Sequence, residues 1–208
     1  MLLFFTIFPQ GKFTLMLDPA GDSQNTGRLI EDCLERGITL QFVQRLKQEL
    51  EQKIDNLRVT LSRSPGEKVA RLQNANFANR LDVDCYLSIH FYKETEVKPR
   101  VYIFTFGYND DFITKKPDLY FYPYDKAHLI NKDITKQWAH NIQDIFLLEE
   151  NKKRFEFCGL RSLPFKPLIG VKAPAIGIEV GLCAKHDWQN CIDIFFDIIS
   201  EIITHKNI

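Results

Sequence analysis

The sequence predicts an α/β domain built on a single mostly parallel or mixed sheet, with helices on both faces of that sheet. Short apolar runs alternate with longer segments of helical periodicity, which is typical of strands joined by crossover helices. No linker, repeat or low-complexity tract interrupts the alternation. The length of 208 residues, with 45% hydrophobic and 26% charged residues, is ordinary for one globular domain, so we expect residues 1–208 to form a single domain.

Five apolar runs predict the strands, at residues 13–17, 57–61, 85–89, 101–106 and 174–180. In open α/β sheets the ligand crevice lies beyond the carboxyl ends of the strands. The loop from Asp18 to Gly27 follows the first run, and His90 follows the third. The order of elements therefore predicts a functional site at this edge of the sheet.

Four segments have helical patterns, at residues 29–54, 67–79, 134–148 and 188–203. In the first, Ile38, Phe42, Leu46 and Leu50 recur at the spacing of one helix face, which predicts a long amphipathic helix. Residues 108–126 are rich in aromatic residues, proline and aspartate, and we expect them to form an irregular insertion.

Charge and missing motifs exclude several classes of protein. The formal net charge is zero, which argues against nucleic-acid or anionic-membrane binding, because both favour a basic surface. No phosphate loop, no dinucleotide fingerprint and no nucleophile elbow occurs, which disfavours a nucleotide enzyme and a serine hydrolase. The five cysteines contain no CxxC pair, so neither a disulfide framework nor a thiolate zinc site is indicated.

The first eight residues are apolar but contain no Lys or Arg, and they are too few to span a bilayer. We therefore expect a cytoplasmic protein as the sequence is given. The periplasm or cell envelope is the alternative if a signal lies upstream.

Two polar residues, Glu35 and His90, stand in or next to predicted apolar elements. Glu35 precedes Ile38 by three residues and Phe42 by seven, so it shares the apolar stripe of its helix. A carboxylate aimed at a core is costly unless it is paired or binds a metal. The alternative is that Glu35 lies near solvent in the first turns, where the helix dipole favours it. His90, at a strand end, is weak evidence when taken alone.

Glu179 lies in an otherwise uncharged strand. Alternation places it on one face with Gly177 and Gly181, which predicts open space beside the carboxylate for a substrate or a metal. The alternative is a structural ion pair with an arginine such as Arg63 or Arg161.

Five motifs, in order along the chain and on the expected elements, suggest a family. They are Asp18-Pro19-Ala20-Gly21-Asp22-Ser23 with Gly27; the helix segment from Glu35 to Leu40; the strand end from Val59 to Arg63; Ala78-Asn79, Asp84 and Ser88-Ile89-His90; and Pro174-Ala175, Glu179 and Gly181. Over roughly residues 13–205 the chain resembles the zinc-dependent N-acetylmuramoyl-L-alanine amidases with an AmiC-like catalytic domain. The resemblance implies an amidase-like fold and peptidoglycan or muropeptide as the partner.

The resemblance also implies roles for individual residues. Zinc is held by a histidine of the DPGHGG loop, by the helix glutamate, here Glu35, and by the SIH histidine, here His90, with water in the open position. The glutamate of the last strand, here Glu179, acts as general base and acid in cutting the bond between N-acetylmuramic acid and L-alanine. In this chain Gly21 stands at the first ligand position. Asp22, one residue later, is the candidate replacement.

A second departure from the family pattern is Tyr92, where the family usually has a small asparagine, and we expect its ring to crowd the cleft. Two functions follow. One is peptidoglycan amide hydrolysis, impaired by the loss of one zinc ligand. The other is a non-catalytic relative that binds peptidoglycan fragments or a protein partner through the old cleft.

Overall fold

The computed structural model describes residues 11–107 and 123–206, so most of the predicted insertion lies outside it. The described strands are β1 (Phe13–Pro19), β2 (Leu29–Ile30), β3 (Cys33–Leu34), β4 (Leu57–Leu61), β5 (Cys85–Lys93), β6 (Arg100–Phe106), β7 (Glu156–Leu163) and β8 (Ala175–Leu182). The described helices are α1 (Glu35–Lys53), α2 (Gln73–Leu81), α3 (Lys132–Phe146), α4 (Glu149–Arg154) and α5 (Ile192–Lys206).

Six of these strands form one sheet in the order β4-β1-β5-β8-β6-β7. Neighbouring strands are parallel except for β6 and β8, which are antiparallel. The predicted mostly parallel or mixed sheet is confirmed. The parallel strands β1, β5 and β8 lie side by side at its centre, so their carboxyl ends meet at one edge.

Helices cover both faces of the sheet, as predicted. Apolar side chains of α1, α3 and α5 pack on one face in a large core cluster that includes Leu17 and Leu87. On the other face α2 packs in a smaller cluster that includes Met16 and Tyr86. Successive residues of a strand point to opposite faces, so Asp18, Ser88 and His90 lie on the α2 face. On each strand these polar residues come after Met16 or Tyr86, which pack against α2. They therefore lie closer to the carboxyl edge of the sheet than that apolar cluster does.

Several element boundaries differ from the prediction, among them the start of the closing helix α5 at Ile192 and not at residue 188. Helix α1 begins at Glu35 and not at residue 29, because residues 29–34 form the small antiparallel hairpin of β2 and β3. The apolar pattern was misleading there, since Ile30 is fully buried although it is not helical. Helix α2 begins at Gln73, six residues later than predicted, and β5 continues past His90 to Lys93.

The strand β7 and the short helix α4 were not predicted. β7 is an edge strand of the sheet, and most of its residues are partly or fully exposed. An edge strand of this kind has no continuous apolar run, so periodicity does not reveal it. Among the described residues, no helix has the length and apolar character needed to cross a membrane.

Candidate functional site

His90 and Glu179 are register partners on the neighbouring parallel strands β5 and β8. Adjacent strands lie about 4.8 Å apart, and both side chains point to the α2 face. Each side chain is largely buried, with 14% of His90 and 19% of Glu179 exposed. The expected meeting of these two residues is therefore observed, although His90 lies inside β5 and not at its end.

Glu35 is the first residue of α1 and joins the same cluster. Its backbone N–H donates to the carbonyl of Arg28 at 2.8 Å, and its Oε2 accepts the Arg28 backbone N–H at 3.0 Å. Its Oε1 accepts the backbone N–H of Phe91 at 3.1 Å. A Cβ on Gly27 would lie 2.6 Å from Oε2, so only glycine allows this approach. Glu35 thus occupies the first turn, as the alternative supposed, yet it is only 3% exposed.

The guanidinium of Arg28 connects the two glutamates. Its Nε donates to Oε2 of Glu35 at 3.2 Å, and its Nη2 lies 2.6 Å from Oε1 of Glu179. It also lies over the ring of Tyr92, 5.4 Å from the centroid. Glu179 therefore does form an ion pair, but its partner is neither Arg63 nor Arg161. Sequence reasoning missed Arg28, whose one signal was its position directly after Gly27.

These contacts set the charge of Glu35. Burial opposes ionisation of this carboxyl, but the neighbouring His90 ring and the hydrogen bonds from Arg28 outweigh it and lower the pKa of Glu35 to about 2. Glu35 is therefore a carboxylate at neutral pH.

His90 is oriented from both sides of its ring. Nδ1 lies 3.6 Å from Oε1 of Glu35, and Nε2 lies 3.0 Å from Oγ of Ser88. Ser88 donates its one hydroxyl proton to Asp18 at 2.8 Å, so its oxygen has to accept a proton from Nε2 of His90. This leaves Nδ1 facing Glu35. Asp18 is 5% exposed and also accepts hydrogen bonds from Ser62 at 2.6 Å and Asn74 at 2.7 Å.

The open space predicted beside Glu179 is filled, so that expectation was wrong. A Cβ on Gly177 would lie 2.6 Å from the ring of Phe165, and a Cβ on Gly181 would lie 2.8 Å from the ring of Tyr92. The small residues make room for these two aromatic rings. Tyr92 thus lies in the cleft, and its hydroxyl donates to Glu94 at 2.8 Å.

Asp22 does not turn toward Glu35 and His90, contrary to its predicted role as a replacement ligand. Its Oδ1 accepts the backbone N–H groups of Gln24 at 2.6 Å and Asn25 at 2.7 Å, and Oδ2 accepts the Asn25 side-chain amide at 3.1 Å. Burial opposes its ionisation, but these hydrogen bonds lower the pKa of Asp22. Asp22 therefore stabilises its own loop, as short polar side chains do in turns.

Gly21 offers no route for a histidine into the site. Its φ is +78°, and a Cβ there would lie 2.8 Å from Cβ of Arg36 and 3.0 Å from the carbonyl oxygen of Asn25. The side-chain direction at this position thus leads into α1 and the loop backbone. The conformation of this loop therefore requires glycine at position 21.

The residues present do not fit a catalytic zinc ion, which needs three protein ligands. Glu35 and His90 lie close together, but both oxygens of Glu35 already accept hydrogen bonds from Arg28 or Phe91. In the parts of the chain that the structure describes, no group of three His, Cys, Asp or Glu side chains could hold a metal. The guanidinium of Arg28, a cation, contacts both Glu35 and Glu179, which disfavours a second cation beside Glu35.

Comparisons with known proteins agree on the fold. The structure superposes on the amidase AmiC2 of Nostoc punctiforme with a TM-score of 0.67 at 17% identity, covering 93% of this chain and 98% of that one. It superposes on the amidase Ami1 of Mycobacterium smegmatis with a TM-score of 0.66 at 14% identity, covering 94% and 98%. Both are similar to this chain in fold.

Two comparisons rest on sequence. The amidase CwlM of Bacillus licheniformis is 33% identical over 76 residues, which are 36% of this chain and 30% of CwlM. The match thus spans less than a third of that relative. The family model described as N-acetylmuramoyl-L-alanine amidase matches residues 15–192. The mixed α/β sheet of this chain therefore has the fold of an amidase catalytic domain, and its Glu35, His90 and Glu179 lie at the carboxyl edge of that sheet. The chain belongs to the N-acetylmuramoyl-L-alanine amidase family.

Proposed function

We propose that this member of the amidase family binds peptidoglycan peptides at the sheet edge that carries Glu35, His90 and Glu179, without zinc-dependent hydrolysis. One observation carries the proposal: Arg28 is hydrogen-bonded or ion-paired to both Glu35 and Glu179. Those are the carboxylates to which the family resemblance assigns metal binding and proton transfer. Family membership supports peptidoglycan as the ligand.

The contacts of Glu179 argue against the role of general base. A zinc ion, when bound in this family, polarises the amide and activates water. A general base has to contact that water through its carboxylate. In this chain Oε1 of Glu179 contacts Nη2 of Arg28 at 2.6 Å, and Tyr92 and Phe165 pack over the neighbouring glycines. The carboxylate of Glu179 is thus already paired with a cation and flanked by aromatic rings, which disfavours contact with a reacting water.

Arg28 itself has the means to hold a peptide. Its side chain is 45% exposed, and its Nε and Nη2 atoms contact the glutamates. Its Nη1 has no hydrogen-bond acceptor among the described residues. The two N–H groups of Nη1 are therefore free to donate to a carbonyl or carboxylate of a bound peptide.

Residual amide hydrolysis is the second candidate, and one observation favours it. His90 and Glu35 keep the 3.6 Å contact of two neighbouring ligands, and Ser88 and Asp18 still orient the imidazole. This function requires a zinc ion to displace Arg28 from Glu35.

The test compares the wild-type protein with Glu179→Ala. Each is supplied with zinc, dialysed, analysed for metal, and incubated with muropeptides whose cleavage is followed by mass spectrometry. We expect far less than one zinc per chain, no release of stem peptide above the Glu179→Ala level, and measurable muropeptide binding by calorimetry. Near one zinc per chain with cleavage that Glu179→Ala abolishes would overturn the proposal in favour of hydrolysis.

A further inference from the structure

A groove of about 720 Å³ lies beside α2, next to the carboxyl end of β4. We call it the arginine groove, and we define it by Arg63, Arg71 and Arg80 together with Glu67, Gln73 and Phe77, all of which line it. Three arginines against one glutamate leave a local charge of +2, in a chain whose formal net charge is zero. The groove is therefore a locally positive surface on a chain without net charge.

Arg63 is a buried cation with no direct carboxylate partner in the part of the chain that the structure describes. It is 5% exposed, and its hydrogen bonds go to the backbone carbonyls of Pro19, Ala20 and Arg36 at 2.9–3.1 Å. Burial lowers its pKa although carboxylates lie in the neighbourhood. A buried guanidinium that is bonded only to carbonyls favours the approach of an anion.

The other two arginines are exposed and are also without carboxylate partners among the described residues. Arg71 contacts the hydroxyl of Tyr124 at 3.4 Å, and Arg80 lies 5.6 Å from the ring centroid of Phe77. Glu67 forms no ion pair with them among the described residues, since its oxygens accept hydrogen bonds from the backbone N–H of Ser64 at 2.8 Å and from the side chain of Gln73 at 2.6 Å. Its single charge offsets only one of the three arginines.

The Arg63 end of the arginine groove and the Glu179 cluster belong to the same edge of the sheet. Ser62, at the end of β4, and Asn74 of α2 both donate to Asp18, which in turn accepts from Ser88 beside His90. The strand order places β4 two strands from β5 and three from β8. At about 4.8 Å per strand, the Arg63 end of the groove is about 10–14 Å from the cluster.

From these observations we infer that the arginine groove binds the carboxylates of an acidic peptide whose other end lies at Arg28 and Glu179. An extended peptide covers about 3.3–3.6 Å per residue, so a span of about 10–14 Å corresponds to three or four residues. Arginine side chains bind carboxylates through paired N–H donors. The inference rests on the proposed function, and it adds that the stem peptide is recognised through its free carboxylates.

The test uses two ligands and two double variants of the full chain. The ligands are an N-acetylmuramoyl tripeptide with free stem carboxylates and the same molecule with those carboxylates converted to amides. The groove variant is Arg71→Ala with Arg80→Ala. The control is Arg45→Ala with Lys53→Ala, which removes the same charge from the exposed side of α1, where both residues pair with Glu49.

We expect the wild-type protein to bind the free acid about tenfold more tightly than the amide, as two partly exposed ion pairs allow. The groove variant should lose this preference and keep its affinity for the amide, and the control should keep both. Circular dichroism checks that both variants are folded.

Three outcomes would overturn the inference. If the wild-type protein and the groove variant bind both ligands equally, the groove is not involved, but the proposed peptide binding stands. If neither ligand binds, the proposed function fails as well. If inorganic phosphate displaces the free acid at equal concentration, the groove is a phosphate site and the peptide assignment is wrong.

Discussion

The Nη2 atom of Arg28 lies 2.6 Å from Oε1 of Glu179, and this ion pair joins the loop before α1 to the central strand β8. The same side chain contacts Glu35 at the start of α1. One exposed loop residue thus balances two carboxylates that would otherwise repel each other at a partly buried sheet edge. The guanidinium of Arg28 thus links the two glutamates of the site, and we expect the free energy of unfolding to depend on this residue.

Arg28→Ala should lower the free energy of unfolding by about 1–3 kcal/mol. Removing one partner from a fully buried ion pair costs about 3–5 kcal/mol, and we reduce this value because the Arg28 side chain is 45% exposed. Urea denaturation measures the change. Zinc should raise the melting temperature of this variant more than that of the wild-type protein, because the freed carboxylates can accept a cation.

Arg45→Ala is the matched control, since Arg45 pairs with Glu49 on the exposed side of α1. It should leave the stability nearly unchanged. Equal effects of the two substitutions would show that Arg28 is an ordinary surface residue.

Gly21→His should destabilise the protein by about 1–3 kcal/mol and should not create a zinc site. The positive φ of Gly21 strains any other residue, and the new Cβ would lie 2.8 Å from Cβ of Arg36. Thermal unfolding and metal analysis measure the two effects. Gly66→His is the control, because Gly66 has a similar φ of +74° but no atom within 4 Å of its Cβ position. A stable Gly21→His protein with one zinc per chain would show that the loop can be remodelled.

Acid should weaken the fold partly through Glu35. Its pKa is about 2 in the folded state and is ordinarily near 4.5, so its contribution is fully present above pH 4.5 and is lost as the pH falls toward 2. His90, Arg28 and the carboxylate of Glu179 are the charged or titratable groups around it. Glu35→Gln should reduce the loss of stability between pH 4.5 and pH 2 by about 1–3 kcal/mol, as measured by urea denaturation at each pH. Parallel pH profiles for the two proteins would contradict this assignment.

Asp18→Asn should lower the free energy of unfolding by about 1–3 kcal/mol. The buried carboxylate accepts hydrogen bonds from Ser62, Ser88 and Asn74. In the asparagine variant one carboxylate oxygen becomes an NH2 group, which is itself a donor and cannot accept these bonds. Chemical denaturation measures the loss. Asp32→Asn is the control, because Asp32 is exposed and its ion pair with Lys185 lies at the surface. If both substitutions have the same small effect, the network around Asp18 does not stabilise the fold.

The meeting of Glu35, His90 and Glu179 could be predicted because the family resemblance puts them in one site and the strand ends place that site at one edge of the sheet. Parallel strands bring their carboxyl ends to one edge, and an isolated charge in an apolar run marks the place where that edge is polar. The partners of these residues could not be predicted in the same way. Arg28 and Phe165 lie in segments outside the central strands, and nothing in their local sequence sets the direction of their side chains.

The alternation of apolar runs and amphipathic segments by itself determined the α/β class and the central strands, because burial of apolar surface depends on periodicity along the chain. The order of five short motifs, through the family resemblance, identified Glu35, His90 and Glu179 as site residues. Only the tertiary structure decided what surrounds those residues. It directed Asp22 into its own loop, packed Phe165 and Tyr92 over Gly177 and Gly181, and brought Arg28 between Glu35 and Glu179. The physical reason is that loop side chains find their hydrogen-bond and charge partners across the sheet edge, as Arg28 and Glu179 do at a separation of 151 positions. Such pairing leaves no periodic pattern in the sequence.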